Sequence, residues 1–303
     1  MRLCATLATT SAMTLAFALA AQANTFYLTV AGLGGEPDYE QRFALLASET
    51  EKTLKTHAPD ASIETFKGAS ATKANIRAAL GRIAAAAKPQ DSVVVLLIGH
   101  GTFEGDYKFN LPGPDLSAQE LAELLNKIPA TRQLVVNTTS ASGGGNEALR
   151  KANRILISAT KTGSEKNATV FARFWVEALG DPSADTDKNG SVSAMEAFRF
   201  AEGKTKAFYE EQKRLSTEHA VIEDSPKGGA AGQLAMSFSV LRLNGESASS
   251  DPAKRTLQAK RDQVESQIDQ LKFQKSLLAP ELYRAQLSKL LLELARVQEE
   301  LDK

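Results

Sequence analysis

Apolar, β-branched runs recur along the first two-thirds of the chain, separated by stretches in which apolar residues return at helical spacing. Thr25 to Ala31, Ala61 to Phe66, Ser92 to Ile98, Leu134 to Asn137 and Arg154 to Ala159 read as strands. Tyr39 to Thr56, Ala71 to Ala87, Ala168 to Leu179 and Val192 to Leu215 read as helices, and another helix starts at Ser117. There Ser117 and Glu120 have the spacing of a capping box, and Leu121, Leu124 and Leu125 follow on one face. Leu234 to Leu243 is expected to be a last strand. The strands are apolar throughout rather than alternating, which suits a sheet covered on both faces. Strands alternating with helices of this length predict an α/β fold: a mostly parallel sheet flanked by helices.

The pattern changes near residue 245. Asn244 to Asp251 is small and polar, a linker placed at 246–252. Beyond it Leu257, Val264, Ile268, Leu271 and Leu278 mark one helix, Ala279-Pro280 breaks it, and Leu287, Leu290, Leu291, Leu294, Val297 and Leu301 mark a second. Residues 253–303 therefore read as a helical hairpin or short coiled coil, docked on its own domain or joining copies into a homo-oligomer.

The other end reads as a secretory signal over residues 1–23. Arg2 is its basic part, Met13 to Ala21 its apolar part and Ala21-Gln22-Ala23 its cleavage site, so the mature chain is expected to begin near Asn24, in the periplasm or outside the cell. The one cysteine, Cys4, lies within this segment, so the exported chain relies on core packing rather than disulfides. Thirty-six basic residues balance 36 acidic ones, which argues against nucleic acid as a partner. No second long apolar run offers a membrane span.

Candidate chemistry lies at two strand ends. Gly99-His100-Gly101 follows the Ser92 strand, and Ser140-Ala141-Ser142-Gly143 follows the Leu134 strand. A His and a hydroxyl at neighbouring strand ends can meet at one edge of a parallel sheet as base and nucleophile. A hydroxyl is far less acidic than a thiol and needs a well-oriented base, commonly one held by a third group. Thr138, Thr139 and Ser142 are alternative hydroxyls. His57 and His219 read as surface residues. The chain has no H-E-x-x-H pattern, and Gly32 to Gly35 lacks the Lys-Ser/Thr of a phosphate-binding loop.

The order strand–GHG, helix, strand–nucleophile–x–Ser–Gly resembles the legumain family and its caspase-like relatives, from Thr25 to Leu243. The resemblance implies a caspase-like fold, His100 as base, Ser140 where the family has its Cys, and the amides of Gly101 and Ser140 as an oxyanion hole. It places Glu40 near a basic specificity position, and Thr138 where relatives often carry an acid. Two departures in one site imply a degenerate peptidase that binds a peptide or protein partner. The alternatives are a working Ser140–His100 hydrolase and an assembly protein acting through its C-terminal hairpin.

Residues 185–196 fit the twelve-residue EF-hand pattern. Asp185, Asp187 and Asn189 supply side-chain oxygens, Gly190 the sharp turn, Ser191 a carbonyl, Ser193 a water-mediated contact and Glu196 two closing oxygens. Calcium is the expected ion. A lone loop with three carboxylates is expected to bind it weakly, at roughly 10⁻⁴–10⁻³ M, as extracellular modules do.

Overall fold

The structure is a computed structural model that describes residues 23–229, 232–243, 251–273 and 278–301. The proposed signal, apart from Ala23, and most of the linker lie outside the described residues. In chain order the elements are β1 (Thr25–Ala31), α1 (Pro37–His57), β2 (Ser62–Phe66), α2 (Lys73–Ala86), β3 (Ser92–Ile98), β4 (Gly101–Phe103), β5 (Tyr107–Phe109), β6 (Leu116–Ser117), α3 (Ala118–Asn126), β7 (Arg132–Asn137), α4 (Asn146–Leu149) and β8 (Arg154–Ser158). Then follow α5 (Phe171–Ala178), β9 (Ser191–Ser193), α6 (Ala194–Glu211), β10 (Val221–Glu223), α7 (Gln233–Ser237), β11 (Ser239–Arg242), α8 (Pro252–Phe273) and α9 (Pro280–Leu301).

The main sheet has the order β2-β1-β3-β7-β8-β10. The first five strands pair in parallel and β10 closes the edge antiparallel to β8. The fold is thus a mixed α/β structure with a mostly parallel sheet flanked by helices. The apolar runs explain it: β3 is buried from Val93 to Ile98, one side against each layer of helices. Val94, Leu96 and Ile98 join Phe43, Leu46 and Leu54 of α1 and Phe171, Phe174 and Trp175 of α5 in one core. Val93, Val95 and Leu97 join Ile76 and Leu80 of α2 and Leu121 and Leu125 of α3 in the other. The aromatic stripe of α5 is core, as its helical spacing suggests.

Several expectations need correction. Leu234 to Leu243 is not one strand: Asp224 takes the amides of Leu234 and Ala235, a short helix forms, and only Ser239–Arg242 is extended. Val192 lies in β9, and the helix starts two residues later, capped by Ser193. No α-helix runs into the 185–196 loop: α5 stops at Ala178, and a 3-10 turn over Pro182–Ala184, capped by Asp181, leads in. Leu278 lies beyond the end of α8. The small antiparallel sheet β4-β5-β6 has no counterpart in the sequence reading, since three-residue strands carry too few positions to show a period.

At the C-terminus α8 packs along α9 and touches α7. Val264, Ile268 and Leu271 of α8 and Val297 of α9 are buried. Glu265 of α8 meets Arg242 of β11 at 3.7 Å, and Lys260 meets Glu293 of α9 at 3.6 Å. Among the described residues, no helix is long and apolar enough to cross a membrane.

Candidate active site and calcium loop

The parallel strands end along one edge of the sheet, and their ends deliver the chemistry. Gly32 follows β1, Gly99 to Gly101 follow β3, Thr138 to Ser140 follow β7, and Ala159-Thr160 follow β8. Neighbouring β1 and β3 feed helices on opposite faces of the sheet, so the edge is split between them, where open α/β sheets form their ligand crevice.

Ser140 is 2% exposed. Its hydroxyl accepts from the Gly101 amide at 3.1 Å and donates to the Gly101 carbonyl at 3.0 Å. The contact demands glycine: a Cβ on residue 101 would lie 2.6 Å from the Ser140 carbonyl oxygen and 2.6 Å from the Tyr107 ring. Beneath it the Tyr107 hydroxyl donates to Asn137 Oδ1 (3.1 Å) and bonds the Thr139 hydroxyl (2.7 Å). Burial pushes the Tyr107 phenol far up, so it stays protonated. The alternative hydroxyls are engaged too. Thr138 donates to the Leu97 carbonyl at 2.7 Å, and Ser142 meets the Thr160 hydroxyl at 3.1 Å while accepting its amide at 3.0 Å. Ala141 holds a left-handed φ of 55°, fixed by its amide bond to the Glu165 carbonyl at 2.8 Å.

His100 lies on the α1 side of this crevice. Its ring stands edge-on to Tyr39 and Phe43, with centroids at 4.6 and 5.1 Å. Burial lowers its pKa below the ordinary value, against a hydrogen bond to the Gly34 backbone and the charge of Glu36, so the imidazole is neutral at pH 7. Both hydrogen bonds of the Ser140 hydroxyl go to Gly101 rather than to this ring. The structure thus joins Gly101 to Ser140 and ties His100 to the loop after β1. Gly34 escaped the sequence reading because its contribution is a backbone group, brought near by the pairing of β1 with β3. Glu40 braces the same loop, accepting the Gly34 amide at 2.8 Å. His219 is exposed and pairs through Nδ1 with Glu165 at 2.6 Å. His57 is half-buried at the end of α1.

The 185–196 loop is built differently. Carboxylate oxygens of Asp185, Asp187 and Glu196 lie within 4.8 Å of one another. Gly190 makes the turn at φ 80°, and its amide donates to Asp185 at 2.8 Å. The Asn189 side chain accepts the Ser191 amide at 2.8 Å. Ser193 caps α6, and Glu196, 8% exposed, returns to the Ser193 amide at 2.9 Å while taking the Thr186 amide on its other oxygen. Val192 is fully buried and joins the core on the α5 side of the sheet. All offered ligands are oxygens, the hard donor set that suits Ca²⁺. EF-hand loops commonly pair with one another; here β9 pairs antiparallel with β11 instead.

No family model matches the chain, and no curated protein does. The solved structures similar to it include a caspase. It is caspase-1 from Spodoptera frugiperda, 12% identical, with a TM-score of 0.46, over 66% of this chain and 86% of that one. A structural-genomics protein from Geobacter sulfurreducens is similar at 14% identity and a TM-score of 0.43, over 66% of this chain and 92% of that one.

Proposed function

We propose that this chain is an exported caspase/legumain-like peptidase homologue whose hydrolytic centre is retired and whose crevice binds a peptide or protein partner. The observation that carries this reading is the closed pair between Ser140 and Gly101. A serine nucleophile must donate its proton to a base; this hydroxyl donates to a backbone carbonyl, which cannot take it. The amide that would stabilise an oxyanion is spent on the same hydroxyl. With a neutral His100 turned onto Tyr39, Phe43 and Gly34, the parts of a dyad follow neighbouring strands at one sheet edge without forming one.

One feature favours the rival reading of a working hydrolase: His100 is neutral and held by a backbone partner, as a general base requires. Hydrolysis of a mixed peptide library by the chain from Asn24, with calcium, separates the two. Wild type and Ser140→Ala are expected to be equally inert, with turnover appearing in Ser140→Cys. Wild-type turnover that disappears in Ser140→Ala overturns the proposal in favour of the hydrolase.

The same reading assigns a calcium ion to residues 185–196, supported by the convergent carboxylates, the Gly190 turn and the Ser193–Glu196 cap. Asp185, Asp187, Asn189, Ser191, Ser193 and Glu196 would hold it. The ion supplies positive charge where three carboxylates meet, stiffening the approach to α6. The hairpin is the base for the assembly alternative; the contact of α8 with α7 and the Arg242–Glu265 pair favour docking on the chain's own domain.

A further inference from the structure

At the opposite end of the sheet, Asp91 is 0% exposed. It sits in the turn before β3, where its two oxygens accept one backbone amide each: Oδ2 from Lys88 at 2.7 Å and Oδ1 from Asn24 at 2.8 Å. No cationic side chain pairs with it among the described residues. A fully desolvated carboxylate served by two neutral donors is an incomplete arrangement, since buried charges are ordinarily met by an opposite one. The other buried carboxylates each hold a local element: Glu196 closes the 185–196 loop, Glu218 takes the Val170 and Phe171 amides at the start of α5 and meets the Tyr209 hydroxyl, and Asp224 takes the Gly232, Leu234 and Ala235 amides at the start of α7, whereas Asp91 takes the amide of the residue expected to become the mature N-terminus.

The missing charge is supplied by processing. Asn24 is the residue expected to follow the Ala21-Gln22-Ala23 cleavage site. Cleavage there breaks the Ala23–Asn24 peptide bond with one water; the carbonyl leaves as the leader's carboxylate, and the nitrogen stays on Asn24 as an α-ammonium at neutral pH. That nitrogen is the atom already 2.8 Å from Asp91. The Asn24 carbonyl, meanwhile, accepts the Ser92 amide at 2.9 Å, so the residue is held in register beside β3. We infer that Asp91 is a receptor for the α-ammonium of the mature chain: removal of the leader turns a neutral hydrogen bond into a partly buried ion pair that pins β1 to the turn before β3. This rests on the export reading proposed above.

The test compares the full mature chain, made to begin at a free Asn24, with the same chain acetylated at that nitrogen. Acetylation keeps the N–H and removes only the charge. A drop in Tm of roughly 2–5 °C is expected on acetylation in wild type, as for loss of one charge of a partly buried pair, and little change in Asp91→Asn, which has no charge to lose. Where Asp91→Asn fails to fold, labelling of the α-amine by an amine-reactive ester serves instead. In the folded wild-type chain it is expected to be at least tenfold slower than in the denatured chain. Equal Tm values for free and acetylated wild type, an equal drop in both backgrounds, or an α-amine labelled as fast as in the denatured chain would each overturn the pair. N-terminal sequencing of the exported protein tests the leader separately. A start at another residue overturns the role of processing, while the melting comparison still decides whether Asp91 holds a cation at Asn24.

Discussion

The Ser140 site and the 185–196 loop both gather oxygen atoms at the end of an element, the first buried and the second partly exposed, and they solve opposite problems. Around Ser140 the donors and acceptors are neutral and, Asn137 Nδ2 apart, meet one another: Gly101 closes on Ser140, Tyr107 on Thr139 and Asn137 Oδ1, Ser142 on Thr160. In the loop, carboxylate oxygens of Asp185, Asp187 and Glu196 converge to within 4.8 Å of one another. Neutral networks resist change because each broken bond leaves a desolvated partner. Convergent charges invite an ion, because like charges at short range repel until one arrives.

The largest expected effect comes from prying the first cluster apart. Gly101→Ala drives a methyl group into the Ser140 carbonyl and Tyr107, and overpacking of this kind costs about 1–3 kcal/mol. A denaturant midpoint unchanged from wild type would mean that the close contact does not exist in solution. The second comparison concerns the ion. At calcium a hundredfold above its dissociation constant, linkage stabilises the chain by about 2.7 kcal/mol, read as a rise in Tm that Glu196→Gln abolishes. An equal rise in the variant would place the ion elsewhere. Next, Ser140→Ala leaves the Gly101 amide without its acceptor and is expected to cost about 1–2 kcal/mol of stability while changing no turnover.

The contrast between the clusters matches what the sequence disclosed. The strands showed themselves because apolar runs have one use in a covered sheet: the reading placed β1 and β3 at their observed bounds, and the Ser117 cap where α3 begins. The convergence of Asp185, Asp187 and Glu196 was also visible, since it depends on side chains at fixed spacing. Of the Ser140 site, the sequence reading named the side chains and, through the family resemblance, the Gly101 amide, but not the closed Ser140–Gly101 pair or the Gly34 contact. The site's decisive partners are the Gly101 amide and carbonyl and the Gly34 backbone, and backbone groups leave no letter in the sequence. The short strands β4, β5, β9 and β10 were missed for a related reason: each is fixed by what it pairs with rather than by its own pattern.

The smallest expected effect is a pH dependence. Burial lowers the pKa of His100 in the folded chain, so the unfolded chain binds the proton more tightly. The stability His100 allows is therefore complete above its unfolded pKa of about 6.5, and is lost as pH falls through the folded value. Melting curves between pH 7.5 and pH 5 are expected to be flatter for His100→Gln than for wild type. Parallel curves would show that the ring is solvated, and would reopen the case for a base free to swing toward Ser140.

The pairing of β9 with β11 has a consequence for how the molecule is made. Ser191 meets Ser239, 48 residues further along the chain. The parallel core from β1 to β8 is complete once Ser158 has been synthesised, and its strands can assemble as they emerge. The loop is stalled until the last strand of the domain arrives. A ribosome or a translocation channel that releases the chain short of residue 239 thus leaves a formed sheet with an open-ended loop, and arrival of the proposed ion would be a late checkpoint on whether the whole domain has been delivered.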